Sequence, residues 1–496
     1  MNALQPHWPV LVVIAPLLAA PLAVLIGRHR LAWAAATAAS LCSFLLALQI
    51  AAQVRQTGPM VYEMGSWAAP YGIALMVDAF SALLLVIVCG ASTGGLLVAA
   101  RGLGNDIARH RLPLFYAAWL LALAGMAGIV VSADAFNIFV FMEISSLATY
   151  ILVAGGQRRE ALTATFKYLI MGTLGATFYL IGIGLIYMMT GTLNLADMEL
   201  RIREVGELRP ILVAGGFVTV GLALKAAVFP LHTWLPNAYA EAPHAVTAFI
   251  AACSTKVALY VLLRLDFFVF QGNVPGHGAQ FTGFILPLAV VAILAASVLA
   301  ARARELKHLL AYSSIAQVGT ILLGASMVSV TGLTASVAHM FNHALAKGAL
   351  FVAVACLGTL HSQLSVEGLA GAARRMPLTM AGFVVAGLSL IGLPGTAGFV
   401  SKWYLVLAAI ELGPAGVWLI APVLAASLIA VIYIWRVVEP AYFGPSDPAL
   451  PRREAHWSLL LVLWGVALLN LYFGLRPDFT LTLARQAAEA LLSVSN

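Results

Sequence analysis

Long apolar runs separated by short polar segments follow one another along the whole chain. A run of about 20 residues is long enough for an α-helix to cross a hydrocarbon core of roughly 30 Å. Backbone groups in lipid must be satisfied within the segment, so we interpret the runs as helices. Fourteen spans are predicted, near residues 10–27, 31–52, 74–100, 112–132, 134–155, 162–190, 210–240, 244–268, 281–302, 307–329, 331–360, 376–412, 415–440 and 456–474.

Two of the long spans contain helix-breaking residues. Span 7 has Pro230 within GLALKAAVFPLHTWLP, and span 12 has Pro394 within GLSLIGLPGTAGFVSKWY. Proline lacks the backbone donor that a helix needs, so both spans are predicted to be discontinuous. Span 11, which contains HMFNHALAKGALF, is also long but has no proline, so a break there is an open alternative.

The broken spans also belong to an internal repeat. GLALK at 221–225 parallels GLSLI at 387–391, and SSLA at 145–148 parallels SSIA at 313–316. Chance similarity between apolar sequences is the alternative for either match alone. A five-helix unit would repeat in inverted orientation, and broken helices at matching positions mark the transport route in such folds. The predicted divisions are an N-terminal three-helix segment (1–111), a first five-helix repeat (112–268), a second five-helix repeat (281–440), and a C-terminal helix and tail (441–496).

The amino-acid composition indicates what surrounds this all-α polytopic protein. Of the residues, 62% are hydrophobic and 9% are charged, whereas a soluble domain carries roughly a quarter charged residues. A bilayer is therefore predicted, and a bacterial inner membrane is expected. Arginines concentrate in alternate loops, and fewer, Arg264 among them, lie on the opposite face. This asymmetry predicts both termini on the outer, periplasmic side. The formal charge of +7 therefore reflects the loop arginines that set the orientation of the chain in the membrane, and it does not indicate binding to nucleic acid.

Several classes of chemistry have no support in the sequence. The four cysteines lie far apart in apolar runs, without CxxC or metal spacing. No Gly-rich phosphate loop follows a strand, and no nucleophile elbow is present. We therefore expect no cofactor and no catalytic nucleophile, and energy has to come from other subunits or from an ion gradient.

Lysine and arginine are sorted differently along the chain. Five of six lysines lie within predicted spans and the sixth, Lys307, in a loop, whereas the arginines lie almost entirely in loops. Arginine stays charged, but a buried lysine can release its proton because burial disfavours the ammonium form. A mid-span charge costs roughly 2.5–3.5 kcal/mol, so such groups face the bundle interior.

The position of each lysine decides between two interpretations. Lys225, Lys256 and Lys402 lie beside helix breaks or in mid-span, where we expect a function. Lys167 and Lys347 lie near span starts, so they are accessory candidates for which snorkelling to the membrane surface is an equal alternative.

One acidic residue, Glu143, lies about ten residues into span 5. Its predicted partner is Lys225 on span 7. A loosened Glu–Lys pair in a low dielectric would push a proton onward, because the two groups titrate as a coupled pair. The alternative is a permanently closed structural pair. Asp78, near a span end, is expected to be interfacial.

Histidines extend the candidate proton path. His339 and His343 lie at spacing i, i+4, with Lys347 at i+8, so the three share one helix side. Imidazole both donates and accepts hydrogen bonds, which suits a relay. A metal is disfavoured, since no HExxH glutamate or nearby cysteine supplies a third ligand. His232 and His244 flank the span 7 break as accessory candidates, and capping of freed carbonyls is their alternative role.

These segments resemble a known family. FVFMEISSLATYIL, FKYLIMGTLGATFYLIGIGLIYMMTGTLN, GLALKAAVFPLHTWLPNAYAEAPHAVTAFIAACSTKVALYVLLR and HMFNHALAKGALF are similar to the antiporter-like subunits of Mrp-type cation/proton antiporters (the D-type above all), complex I and membrane-bound hydrogenases. The resemblance implies 14 helices, two inverted five-helix repeats, broken helices 7 and 12, and a hydrophilic axis. The matching positions are Glu143 (helix 5), Lys225 (helix 7), Lys256 (helix 8), the His339/His343 region (helix 11) and Lys402 (helix 12).

The leading hypothesis is therefore a proton-translocating subunit of a multisubunit Na⁺/H⁺ antiporter, which would have other membrane subunits, protons and Na⁺ as partners. The predicted path runs from Glu143 through Lys225, Lys256 and the His339/His343 region to Lys402. The alternatives are a proton-pumping module of a complex I-like dehydrogenase or membrane-bound hydrogenase, a non-conducting scaffold, and a solitary transporter.

Overall fold

The computed structural model describes residues 4–156, 159–271, 273–274, 276–360, 364–445 and 452–493. Two strands are present, β1 (Met60–Glu63) and β2 (Ala74–Val77). The helices are α1 (Trp8–Ile26), α2 (His29–Thr57), α3 (Ala79–Asp106), α4 (Leu112–Val131), α5 (Ala135–Ala154), α6 (Arg159–Thr190), α7 (Leu195–Glu204), α8 (Arg209–Lys225), α9 (Leu235–Glu241), α10 (His244–Leu263), α11 (His277–Arg302), α12 (Leu306–Ser326), α13 (Val330–Leu357), α14 (Ala372–Arg375), α15 (Pro377–Ile391), α16 (Ala397–Glu411), α17 (Pro414–Val417), α18 (Ile420–Phe443), α19 (Trp457–Leu475) and α20 (Asp478–Ser493).

The fold is nearly all-helical, and the predicted class is confirmed. Within the described residues, 12 helices are long and apolar enough to cross a membrane: α1–α6, α10–α13, α18 and α19. Counting α15 with the short helical stretch before it, from which it bends by 114°, gives 13. The two other predicted crossings, spans 7 and 12, are each divided into shorter helices, α8 with α9 and α15 with α16.

The breaks lie where the prolines predict them. The α8 helix ends at Lys225, and α9 begins only after a stretch of turns that contains Pro230. Likewise α15 ends at Ile391, and Pro394 lies in the interval before α16. In contrast, α13 is continuous, so span 11 has no break.

A two-stranded hairpin replaces the predicted start of span 3. Strand β2 pairs antiparallel with β1, Met60 lying opposite Val77. The helix then begins at Ala79, because the Asp78 carboxylate accepts a hydrogen bond from the Ser81 backbone N–H at 3.0 Å and caps α3. The apolar residues of β2 continue directly into those of α3, which hides the strand in the sequence pattern.

Arg264 corrects the expected placement of charge. It was expected in a loop, but it is only 2% exposed. Asp78, which was expected to be interfacial, lies at the start of α3 and is also buried. Arg264 donates to both carboxylate oxygens of Asp78, at 2.7 and 2.8 Å, and lies 4.9 Å from the Tyr260 ring centre. The pair joins α3 to the π-helical continuation of α10 (Arg264–Phe270).

Four helices form the most buried part of the molecule. The α4, α10, α12 and α13 helices are almost entirely buried, whereas α1, α2, α6, α11, α18 and α19 keep large exposed surfaces. The α10 helix of the first repeat contacts α13 of the second. The tail helix α20 packs on α13 and α3, and its exposed residues Arg485 and Glu489 form a pair at 2.8 Å, as an amphipathic tail predicts. The side chains of α10 and α13 therefore meet in a region closed to lipid.

Candidate functional site

The Glu143 and Lys225 side chains meet at the break in span 7. Glu143 comes from the middle of α5, and Lys225 is the last residue of α8. The Lys225 Nζ lies 3.3 Å from Glu143 Oε1 and 2.7 Å from Ser146 Oγ. Charge-assisted N–H···O bonds are ordinarily about 2.7–2.9 Å long, so the ion pair is loose and the hydroxyl is the closer partner. The predicted Glu143–Lys225 contact is present.

Exposure differs between the two members of the pair. The Lys225 side chain is 9% exposed, while that of Glu143 is 28% exposed. The carboxylate therefore reaches towards the outer surface of α5, and the ammonium group points into the bundle.

A small cavity of about 40 Å³ lies beside Lys225. Hydroxyl groups of Ser146, Tyr150 and Ser254 line part of its wall. From α10, the wall includes Ser254, Val257 and Ala258, whereas Lys256 points to a different side of that helix and does not line the cavity. A space of this size with hydroxyl groups in its wall has room for a water molecule.

Lys256 is fully buried in the middle of α10. Its Nζ donates a hydrogen bond to the Ala251 carbonyl at 2.5 Å. Within the described part of the chain, no carboxylate forms an ion pair with it. Its charge acts instead on three groups of α13, His339, His343 and Lys347. Lys256 therefore stands between the two repeats without a fixed counter-charge.

The two histidines of α13 lie in parallel, with ring centres 6.2 Å apart. His339 is held on both sides, by Gln317 Oε1 at Nε2 and by Ser401 Oγ at Nδ1, each at 2.8 Å. Both ring nitrogens of His343 are buried and have no hydrogen-bond partner among the described residues. His339 is thus fixed in orientation, whereas hydrogen bonding does not fix His343.

Lys347 lies one turn beyond His343 and is fully buried. It donates to the Leu310 carbonyl at 2.7 Å and to Ser313 Oγ. The snorkelling alternative for Lys347 is wrong, because its ammonium group points into the bundle and is bound there.

Lys402 occupies the break in span 12. Its Nζ donates to the carbonyls of Leu390 and Ile391, at 3.1 and 2.8 Å, and to Ser427 Oγ at 2.9 Å. The last carbonyls of α15 have no helical donor, so the lysine satisfies groups that the break releases. Gly392 is required here, since its φ is +90° and a Cβ would lie 2.8 Å from the Lys402 Cδ.

The repeated serine motifs each hold a lysine. In the SSLA motif of α5, Ser146 accepts from Lys225. In the SSIA motif of α12, Ser313 accepts from Lys347. The contacts are of the same kind but do not lie at matching positions, because Ser146 is the second serine of SSLA and Ser313 is the first serine of SSIA.

The accessory candidates separate into two groups. Lys167 lies on the exposed outer side of α6, apart from the buried lysines. His232 lies in the break of span 7, where its ring stacks on Phe229 with 5.0 Å between the ring centres. His244 begins α10, and its buried Nδ1 has no hydrogen-bond partner among the described residues.

Sequence reasoning missed the uncharged members of the site. Gln317, Ser401 and Ser427 each hydrogen-bond to a candidate proton-carrying residue. Gln317 follows Ser313 by one helical turn on α12, so a search for polar residues at helical spacing from the serine motif would have found it. Ser401 and Ser427 give no such signal. As for metals, no group of three or more His, Cys, Asp or Glu side chains converges within the described residues.

Comparisons with known proteins agree with this architecture. Residues 132–429 match the family described as NADH:quinone oxidoreductase/Mrp antiporter, TM. The chain is 41% identical to the N-type subunit of the NADH-quinone oxidoreductase of Desulforudis audaxviator, over 88% of this chain and 86% of the relative. It is 28% identical to the D-type subunit of the Na⁺/H⁺ antiporter of Bacillus subtilis, over 98% and 97%. A chain of the archaeal membrane-bound sulfane sulfur reductase superposes with a TM-score of 0.90 at 30% identity, covering 98% of both.

Proposed function

The chain belongs to the NADH:quinone oxidoreductase/Mrp antiporter transmembrane family, and on that premise we propose that it is the proton-translocating subunit of a multisubunit Na⁺/H⁺ antiporter. The observation that carries this proposal is the line of buried protonatable side chains between the two helix breaks. The line starts at the Glu143–Lys225 pair and ends at Lys402. Uncompensated charge in a membrane is costly, so such groups mark ion pathways.

The first transfer takes place at the loose pair. Movement of Lys225 away from Glu143 removes the carboxylate that stabilises its charge, and the ammonium then favours release of its proton. Water in the adjoining cavity accepts the proton, because the hydroxyls of Ser146, Tyr150 and Ser254 in its wall orient the water. The next carrier in the proposed path is Lys256, on the α10 helix that supplies part of this wall.

The second transfer crosses between the repeats. A proton on Lys256 repels charge on His343 and Lys347, so the three groups do not all carry a charge at once. His343, without fixed hydrogen bonds, accepts a proton at one nitrogen and releases one at the other. His339 passes it on through Ser401, the residue next to Lys402.

Cation exchange and assembly follow from the relatives. The B. subtilis relative is a subunit of a Na⁺/H⁺ antiporter, and we assign to this chain the same coupling of proton movement to Na⁺ export, together with other membrane subunits. We place the chain in a bacterial inner membrane with both termini on the outer side. Its role is transport rather than catalysis.

Redox-driven proton pumping is a second candidate function. The D. audaxviator relative is an NADH-quinone oxidoreductase subunit, and the archaeal structure is a respiratory membrane complex. Purification of the intact complex distinguishes the two. Iron–sulfur or flavin subunits in the purified complex support the pump, and their absence together with Na⁺-dependent proton movement supports the antiporter.

Replacement of Lys225 tests the proton path. Everted membrane vesicles containing the Lys225→Ala complex are expected to lose at least about tenfold in the initial rate of proton movement, since a relay group is gone. Lys167→Ala is the matched control, because that lysine is exposed, and we expect it to retain the wild-type rate. A wild-type rate of proton movement in the Lys225→Ala complex would refute the proposed path.

A further inference from the structure

One buried lysine outside the proposed path joins the two repeats. Lys307, the second residue of α12, is only 8% exposed. Its Nζ donates to the carbonyl of Ala240 at 2.9 Å and to that of Ala242 at 2.6 Å. These carbonyls lie at the end of α9, the second half of span 7. The expected loop position of Lys307 is therefore wrong, and a charge of the second repeat binds the broken helix of the first.

The position of Lys307 is explained by α9 and not by its own helix. The start of a helix carries a partial positive charge, so a lysine in the first turn of α12 is unfavourable there. The end of a helix carries a partial negative charge and carbonyls without helical donors. The ammonium group of Lys307 satisfies both conditions at the end of α9.

Within the described residues, few other side-chain hydrogen bonds hold α9. The helix has 7 residues, a length that is unstable without tertiary contacts. Thr247 Oγ1 donates to the Tyr239 carbonyl at 3.0 Å, and Tyr239 Oη donates to the Ile250 carbonyl at 3.4 Å. Both of these contacts come from α10, whereas the Lys307 contact is charged and comes from the other repeat.

The contacts of α12 connect α9 with the protonatable groups of α13. After Lys307, the helix supplies Ser313 to Lys347 and Gln317 to His339. The Lys307 contact faces α9 and the other two face α13, and α12 packs against both helices. A shift of α9 relative to α12 would therefore disturb α12 where it contacts Lys347 and His339, two of the buried protonatable residues of α13.

Displacement of α9 would also open one end of α10. His244 follows Ala242 by two residues and lies against Gly358 at the end of α13. The charge of Lys307 acts on His244, whose buried Nδ1 has no hydrogen-bond partner in the described part of the chain. Lys256 lies 12 residues further along the same helix. The α9 helix thus packs against the start of the helix that carries Lys256.

We propose that Lys307 is a positioning residue that holds the second half of span 7 against α12 and thereby keeps Lys256 closed off from the nearer membrane surface. This proposal rests on the proposed proton path. Loss of the contact releases α9, so protons reach Lys256 without being coupled to the cation.

Hydrogen exchange in the intact complex tests the contact directly. In Lys307→Met, backbone amides of residues 235–243 are expected to exchange about tenfold faster than in the wild type, because two charge-assisted hydrogen bonds are lost. Lys307→Arg should restore slow exchange. The matched control is His308→Gln on the same turn, whose ring contacts Glu305 at 3.1 Å and not α9, and it should exchange as the wild type does.

Proton leak provides the second readout, one that a purely structural residue would not alter. Vesicles with Lys307→Met are expected to dissipate an imposed pH gradient several-fold faster without Na⁺, while Lys307→Arg and His308→Gln stay tight. If Lys307→Met does not assemble, Lys307→Gln keeps a donor without the charge and takes its place. Wild-type exchange of α9 in the assembled variant would overturn the proposal, and so would faster exchange without any leak. A wild-type complex that moves no protons would instead refute the proposed function, while the exchange data would still decide the Lys307 contact.

Discussion

A lysine in the membrane keeps its charge only where something compensates it, and the lysines of the proposed path and its accessory residues differ in this respect. Lys225 has one distant carboxylate oxygen, and Lys347 and Lys402 have carbonyl and hydroxyl oxygens. Lys256 has a single carbonyl. Neutral oxygens stabilise an ammonium less than a carboxylate does. These buried lysines therefore release a proton more readily than a lysine in a tight ion pair does. Lys167 is exposed, so this argument does not apply to it.

His343 gives a prediction at the level of a single residue. We expect His343→Gln to reduce proton movement by roughly tenfold or more, because an amide cannot take up and release a proton. Assembly and thermal stability of the complex should change little, since the ring forms no hydrogen bond with the described residues. His339→Gln is the comparison. It should also lower stability, because it disturbs contacts to Gln317 and Ser401. Wild-type transport by His343→Gln would remove His343 from the path.

The sequence allowed the charged members of the site to be predicted, but not how they are held. Lysines within apolar runs, and histidines spaced by one helical turn, can be recognised from the sequence alone. The 2.7 Å contact of Lys225 with Ser146 depends on how α5 and α8 pack. Serine is common in membrane helices, so the residue type alone does not reveal this role. The snorkelling alternative for Lys347 was equally undecidable, since only the packing of α12 on α13 shows that the site is closed.

Among the elements, the broken helices are the ones that sequence predicts best. Proline and glycine cause the breaks locally, so Pro230 and Pro394 were sufficient to place them. Strand β2 was not predictable in this way, because its four residues are as apolar as the helix that follows. The buried Asp78–Arg264 pair was also missed, since an arginine at the end of an apolar run has the appearance of a loop residue.

The glycine at the span 12 break provides a test of that element. Gly392→Ala is expected to destabilise the complex by about 1–2 kcal/mol, because alanine is strained at the left-handed φ of +90°. Its Cβ would also push the Lys402 side chain off the α15 carbonyls. Thermal unfolding in detergent and proton movement should therefore fall together. Gly395→Ala, at a similar φ but with open space around it, separates backbone strain from the Lys402 contact. Equal transport by the two variants would mean that the Lys402 geometry does not matter.

The Asp78–Arg264 pair gives a second test at this scale. Arg264→Met is expected to cost about 3–5 kcal/mol, because it leaves the Asp78 carboxylate buried and unpaired. In the double variant with Asp78→Asn, most of that stability should return, since the amide still caps α3 and carries no charge. Thermal unfolding of the single and double variants measures the coupling. If their losses simply add, the two side chains do not act as a pair.

At the scale of the whole molecule, composition and hydropathy were enough to predict a polytopic helical protein, and the family assignment agrees. The convergence of the two repeats on α10 and α13 could not be derived from either repeat alone, since it depends on how two buried helices pack. The result is a line of protonatable groups that runs between the two breaks and is closed to lipid over most of its length. Lys307 adds a link between the repeats at one end of this line.

Lys225→Arg is the most direct test of the central claim that this line conducts protons. Arginine keeps a positive charge beside Glu143, and the adjoining cavity gives its larger side chain room. It does not release its proton, however. Initial rates of proton movement should be measured in everted vesicles with verified amounts of assembled complex. Our account predicts that transport falls at least about tenfold although the ion pair is kept. Wild-type transport by Lys225→Arg would contradict it, because Lys225 would then be a structural charge and not a proton carrier.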